Sequence, residues 1–154
     1  MTDNDFTFLE PGSLVDGELR LVLKEKNPAN PGKGLVPAYV FDMVLDGTQA
    51  SVGSINFRVG NTEFVVRYAG HIGYQVDPGH RGHRFAARAC RLLFPLARRH
   101  GFEHLWVSVA PNNAASRRTC EILDATMVEI VDLPADCDMY ANGERQKCRY
   151  RIDL

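Results

Sequence analysis

Between Gly70 and Ala87 the chain reads GHIGYQVDPGHRGHRFAA. An extended run, Ile72 to Asp77, meets a turn at Pro78-Gly79 and passes into a helix rich in Arg and Ala. The first turn of a helix leaves its backbone N–H groups without partners inside the helix. Those donors, at the positive end of the helix dipole, attract phosphate. Here they would be the amides of Gly82, His83, Arg84, Phe85 and Ala86, with Arg81 and Arg84 adding charge-assisted contacts. The chemistry this pattern can do is to hold the diphosphate of a nucleotide-like cofactor. A plain strand-to-helix connection with basic residues on a solvated face is the alternative reading of the same stretch.

The elements that must position this loop follow from the hydrophobic pattern. Glu18 to Lys24 alternates polar and apolar residues and reads as a strand. Residues 25 to 36 are rich in Pro, Gly and Asn and form a loop with no room for a helix. Ala38 to Leu45 and Ser51 to Val59 are strands separated by an Asp46-Gly47 hairpin turn. Phe64 to Tyr68 and Ile72 to Asp77 read as one long or broken strand, with Gly70 a bulge or bend. A helix follows over about 81 to 100. Ala86, Cys90, Leu93 and Ala97 line one of its faces. Pro95 should bend or split it, and Arg98, Arg99 and His100 put cations at its negative end before Gly101 closes it. Glu103 to Ala110 is a strand, 114 to 123 a second helix capped by the Pro111-Asn112-Asn113 turn, and 126 to 132 and 147 to 153 two last strands. This order defines one mixed α/β layer, a largely antiparallel sheet with at least one right-handed crossover through helix 81–100.

The 154 residues make one domain with a sizeable core, and 45% hydrophobic and 24% charged residues are ordinary for a globular protein. A net charge of -1 leaves nucleic-acid binding to rest on a local patch alone. Helix 81–100, with its arginines, His80, His83 and His100, is the one such patch, and the net charge weighs against that reading. No apolar run reaches the length of a membrane span, and the N-terminal MTDNDFTFLE shows no signal-peptide core. The expectation is a cytoplasmic protein with no membrane partner. The four cysteines, Cys90, Cys120, Cys137 and Cys148, match no zinc spacing. They are expected to be free thiols, and no metal is expected.

With these residues at its joints, the chain from about residue 37 to 154 resembles the GNAT superfamily of acyl-CoA-dependent N-acetyltransferases. In that family a strand ending V-x-P leads to a Q/R-x-x-G-x-G/A loop, whose amides bind the pyrophosphate of coenzyme A. Val76-Asp77-Pro78 fits the strand end. Arg81-Gly82-His83-Arg84-Phe85-Ala86 fits the loop at its first and last positions, with Arg84 where the middle glycine stands. The family's Asn and following Ser at the second helix are matched by Asn113 and Ser116. GHIGY at 70 to 74 and RYRI at 149 to 152 resemble a subgroup of acetyltransferases. The resemblance implies the GNAT fold. That means an α/β (α+β type) architecture with a mixed, mostly antiparallel sheet of six to seven strands flanked by helices. The helices between its first two strands are short or absent here.

The resemblance also implies acetyl-CoA as co-substrate. Its pantetheine would lie along the backbone of Tyr74, Gln75 and Val76, where two strands splay apart. An amine, on a small molecule or a protein, would attack the thioester directly. His71, Glu63, Asp77 and Tyr74 are the alternatives for a base, and a structural role for His71 is favoured over a chemical one. Asn113 is either an N-cap or a cofactor contact. Many family members carry, seven residues after the Asn, a Tyr that protonates the leaving thiolate. Cys120 stands there, a core residue first and a chemical one second. With no helices over residues 25 to 36, the acceptor cleft is expected to be open, or walled by a second copy in a homodimer or by the loop 133–146. Acids in and beside that loop (Asp132, Asp136, Asp138, Glu144) would favour a cationic acceptor. A GNAT-fold module that binds acyl-CoA without turnover is the competing function.

Overall fold

The computed structural model describes residues 6–154. Among the described residues, eight strands form two antiparallel sheets rather than the single expected one. The first has the order β1-β2-β3-β4-β5, built from β1 (Val15–Asp16), β2 (Leu19–Asn27), β3 (Ala38–Leu45), β4 (Ser51–Arg58) and β5 (Ile72–Val76). The second has the order β6-β8-β7, from β6 (His104–Val109), β7 (Thr126–Asp132) and β8 (Gln146–Asp153). Helix α1 (Phe85–Arg99) carries the chain from β5, at the edge of one sheet, to β6, at the edge of the other. Helices α2 (Ala114–Ile122) and α3 (Asp138–Ala141) follow β6 and β7.

Alternation decides which face of each strand is buried. In β3, Tyr39, Phe41 and Met43 are buried, and in β4 so are Ile55 and Phe57. Successive strand residues point to opposite faces, so Asn56 and Arg58 lie on the face away from this core. Helix α1 packs onto the core side with Ala89, Cys90, Leu93, Leu96 and Ala97. Its small residues let helix and sheet approach closely. The helix runs through Pro95, which is exposed. At its end burial lowers the pKa of His100, and Nε2 is held 2.7 Å from the Tyr39 hydroxyl.

Three expected boundaries move. β2 runs on to Asn27, so the following loop is shorter than expected and holds one short turn of helix at Pro31–Lys33. Helix α1 begins at Phe85, and the four residues before it form the loop. Residues Val65–Ala69 are a turn of π-helix, not a strand. The reason for that turn lies in Gly70. It has φ +79°, and a Cβ there would stand 3.0 Å from both the Ser108 nitrogen and the Trp106 oxygen. The chain has to reach β6 at this point, and a straight strand from Phe64 would not bring it there.

That contact joins the two sheets. Gly70 and Val107 form an isolated bridge. The His71 N–H donates to the Trp106 carbonyl at 2.7 Å, and the Trp106 N–H donates to His71 Nδ1 at 3.0 Å. Beyond His71, β5 pairs among the described residues only with β4, from Phe57 opposite Ile72 to Gly53 opposite Val76. Its other edge is left open, and the sheets part.

Candidate active site

The parting creates a cavity of about 210 Å³. Gly73 and Tyr74 of β5 line one side and Val107 to Ala110 the other. Asn113 and Ser116 from the start of α2 also line it, as do Glu144 before β8 and Lys147 at its start.

Asn113 caps α2, its Oδ1 accepting from the Ser116 N–H at 3.1 Å. This fixes the first turn, and with it the Ser116 hydroxyl, which shares a hydrogen bond of 2.8 Å with the Tyr74 hydroxyl. Burial raises the Tyr74 phenol well above its ordinary range, and the neighbouring Cys120 and Cys90 thiols raise it further. The phenol therefore keeps its proton at neutral pH. Cys120 is fully buried behind it, and burial pushes its thiol up to about 12. It is a packed neutral group. The structure thus brings Tyr74 to the cavity that Cys120 does not line.

His71 is removed from the list of bases by its surroundings. The residue is 1% exposed. Nδ1 accepts from the Trp106 amide, so Nε2 carries the proton and donates to Asn61 Oδ1 at 2.9 Å. Burial lowers its pKa to about 4. No lone pair is left for an amine, and the side chain acts as the pin between the sheets. Glu63 and Asp77 are exposed and line neither this cavity nor the one described below.

Before α1, Gly82 has φ +92° and Arg84 φ +60°, so two left-handed residues turn the chain into the helix. Arg84 occupies the N-cap position, where Ser, Thr, Asp or Asn would usually close the amides. It makes no capping bond, and its side chain is exposed. Among the described residues, the amides of Gly82, His83, Arg84, Phe85 and Ala86 donate to no protein group. Arg81 Nε donates to the Val76 carbonyl at 3.3 Å, tying the loop to the end of β5. His83 stacks on Phe85, with ring centroids 5.2 Å apart. Gln75 is exposed on the face opposite Tyr74 and borders the open edge of β5 through its backbone alone.

The arginines of α1 are largely committed to the protein. Arg88 holds Asp16 at 2.8 Å and Glu18 at 2.6 Å. Arg91 donates to the Ile122 carbonyl and Arg99 to that of Glu10. The expected acidic wall is likewise neutralised where it meets the cavity, since Glu144 pairs with Lys147 at 2.7 Å.

Sequence reasoning missed Ser108. Its Oγ is buried without a hydrogen-bond partner among the described residues, and the residue lines the cavity. Only strand alternation hinted at it, by placing a small polar residue beside Trp106 on the face away from the core.

The model of the Acetyltransferase (GNAT) domain matches residues 3–126. The chain belongs to the GNAT acetyltransferase family. No curated protein matches it by sequence. Among solved structures, it is similar to the ribosomal-protein-S5-alanine acetyltransferase from Vibrio fischeri, with 14% identity over 92% of this chain and 96% of that one and a TM-score of 0.67. It is also similar to RimL, the ribosomal L7/L12 alpha-N-protein acetyltransferase, in complex with coenzyme A (14% identity, 80% of this chain, 64% of that one, TM-score 0.60). A third is the microcin C7 self-immunity acetyltransferase MccE in complex with acetyl-CoA and AMP (13% identity, 76% and 61%, TM-score 0.60). At these identities the likeness is one of fold. Among the described residues no helix is long and apolar enough to cross a membrane.

Proposed function

We propose that the protein is an N-acetyltransferase that moves an acetyl group from acetyl-CoA to a primary amine by direct attack. The observation that carries this is the pairing of two features. One is the set of free amides at Gly82 to Ala86, which would take the diphosphate. The other is the open edge of β5 facing β6, which would take the pantetheine through the backbone of Tyr74, Gln75 and Val76. The residues fit the co-substrate: unclosed N–H groups meet its anion, an unpaired strand edge meets its amide arm, and the orphaned Ser108 hydroxyl marks a polar contact at the cavity wall.

In the reaction the amine nitrogen bonds to the acetyl carbon and the C–S bond breaks. One amine proton passes to solvent, and the thiolate takes a proton. Tyr74 is the group placed to give it, its hydroxyl kept protonated by burial and held in place by Ser116. The phenol of β5 thus supplies what a Tyr on the second helix supplies elsewhere in the family, and Cys120 fills the volume behind it.

Calorimetry with acetyl-CoA tests the binding half of this reading, and thiol release across a panel of amines tests the rest. Binding with release establishes an enzyme. Binding without release on any amine leaves a module that holds acyl-CoA, and no binding ends the proposal.

A further inference from the structure

A second cavity, of about 220 Å³, lies on the face of the first sheet away from α1. The loop after β2 covers it through Leu35 and Val36, the π-helical turn contributes Val65 and Ala69, and Arg58 and Asn56 of β4 also line it. Its lining is apolar apart from the ends of a few side chains. Arg58 is the only charged one among them. Its guanidinium donates from Nη1 to the Gly70 carbonyl at 3.1 Å. Among the described residues no carboxylate lies within ion-pair distance of it. A guanidinium offers five N–H donors, and a desolvated cation is costly unless it is paired. Gly70 is the one acceptor it meets among the described residues, so the rest of its donors are free to meet solvent or a ligand in the pocket.

The two cavities approach each other at Gly73. That glycine lines the first, and a Cβ on it would stand 2.6 Å from Asn56 Oδ1 and 3.6 Å from Arg58 Nη1, both of residues that line the second. One residue without a side chain separates the thioester site from the charged pocket. Leu35 and Phe64, 55% and 41% exposed, add apolar surface to the pocket's lining.

We infer that this pocket selects the acceptor, and that the acceptor is an amine carrying a carboxylate and an apolar body, as a hydrophobic α-amino acid does. Arg58 binds the carboxylate in the fork geometry suited to it. Leu35, Val36 and Phe64 take the apolar body, and the amine lies past Gly73 at the acetyl carbon. Arg58 is a specificity-determining residue and takes no part in the proton transfers. The inference rests on the acetyltransferase reading and replaces the cationic acceptor that the acids of loop 133–146 had suggested.

The test compares L-phenylalanine, phenethylamine and spermidine as acceptors, with wild type, Arg58→Met and Leu35→Asp. The last variant changes an exposed residue, so it folds even if Arg58→Met does not, and it sets a repelling charge in the pocket. The expected result is a kcat/KM for phenylalanine at least tenfold above that for phenethylamine, with the ratio falling to about one in both variants while acetyl-CoA affinity is unchanged. A preference for spermidine, or a ratio unmoved in a folded variant, overturns the inference and leaves the acetyltransferase reading standing. If acetyl-CoA does not bind, the underlying reading fails. The pocket is then judged alone, by titrating N-acetyl-L-phenylalanine and following the amide resonances of Leu35 and Gly73. Shifts that Leu35→Asp abolishes support it, and no shifts dispose of it.

Discussion

The Trp106 amide donates to His71 Nδ1 at 3.0 Å while the Trp106 carbonyl accepts from the His71 amide at 2.7 Å. This two-way link sits at the vertex from which β5 and β6 diverge, so it sets how the cleft opens. Replacing His71 by Ala leaves the Trp106 N–H buried without a partner and a hole beside Phe102, whose ring packs 4.9 Å from the imidazole. The expected cost is about 3 kcal/mol of stability, read by denaturant unfolding.

The same residue makes the fold acid-sensitive. Its folded pKa of about 4 lies below the free value of 6.5, because burial disfavours the charged form. Between those values the unfolded chain binds more protons, so stability is full above about pH 6.5 and falls as pH drops toward 4. The size of the loss from this group is on the order of 3 kcal/mol. Unfolding curves at a series of pH values should show that slope in wild type and a shallower one in His71→Gln.

Tyr74→Phe removes the proposed proton donor without changing the packing. The expected result is a fall in kcat of tenfold to a hundredfold, somewhat below the usual range for a lost general acid because water can replace it in part. Acetyl-CoA affinity should hold. Cys120→Ala should leave kcat within about twofold and cost stability alone, roughly 1–2 kcal/mol for the cavity. Steady-state thiol release decides between the two residues, and the reverse ranking would return the acid role to Cys120.

Gly82 and Arg84 both sit at positive φ, at +92° and +60°, yet only one is a glycine. Gly82→Ala meets no atom within 4 Å, so its cost comes from backbone strain alone, about 1–2 kcal/mol. Arg84→Gly relieves strain of the same kind and loses part of that gain to the freedom of the unfolded chain. The two substitutions should therefore shift the melting temperature in opposite directions. A matching fall for both would show that the Arg84 side chain contributes something its exposure hides.

Asn113→Ala should cost about 1 kcal/mol by uncapping α2. It should also lower kcat modestly, since the first turn of that helix holds Ser116 and, through it, the Tyr74 hydroxyl. Ser116→Ala should reproduce the kinetic loss with less effect on the melting curve, and equal melting curves would break the capping argument.

What the sequence made legible was local. The β3 and β4 alternation, the apolar line of Ala86, Cys90, Leu93 and Ala97, and the cap at Asn113 each depend on neighbours a few residues away. The π-helical turn at 65 to 69 was not legible, because its cause is the approach of Gly70 to Trp106, Val107 and Ser108, far along the chain. Val65 and Val66 are strand formers by preference, and tertiary contact overrides them. The site divides the same way. The open amides of the 82–86 loop could be read from a strand–turn–helix pattern. Arg58 could not, since one basic residue on an alternating strand ordinarily faces solvent, and only the folded loop after β2 turns it into the wall of a pocket.

That loop has an evolutionary corollary. Residues 28 to 36, none of them buried, roof the second cavity in place of any longer helical segment. Nine surface positions can drift or be exchanged without disturbing a single core side chain. A lineage built on this scaffold could change what it acetylates by rewriting a short ribbon of exterior chain, and directed evolution of new acceptors should begin there.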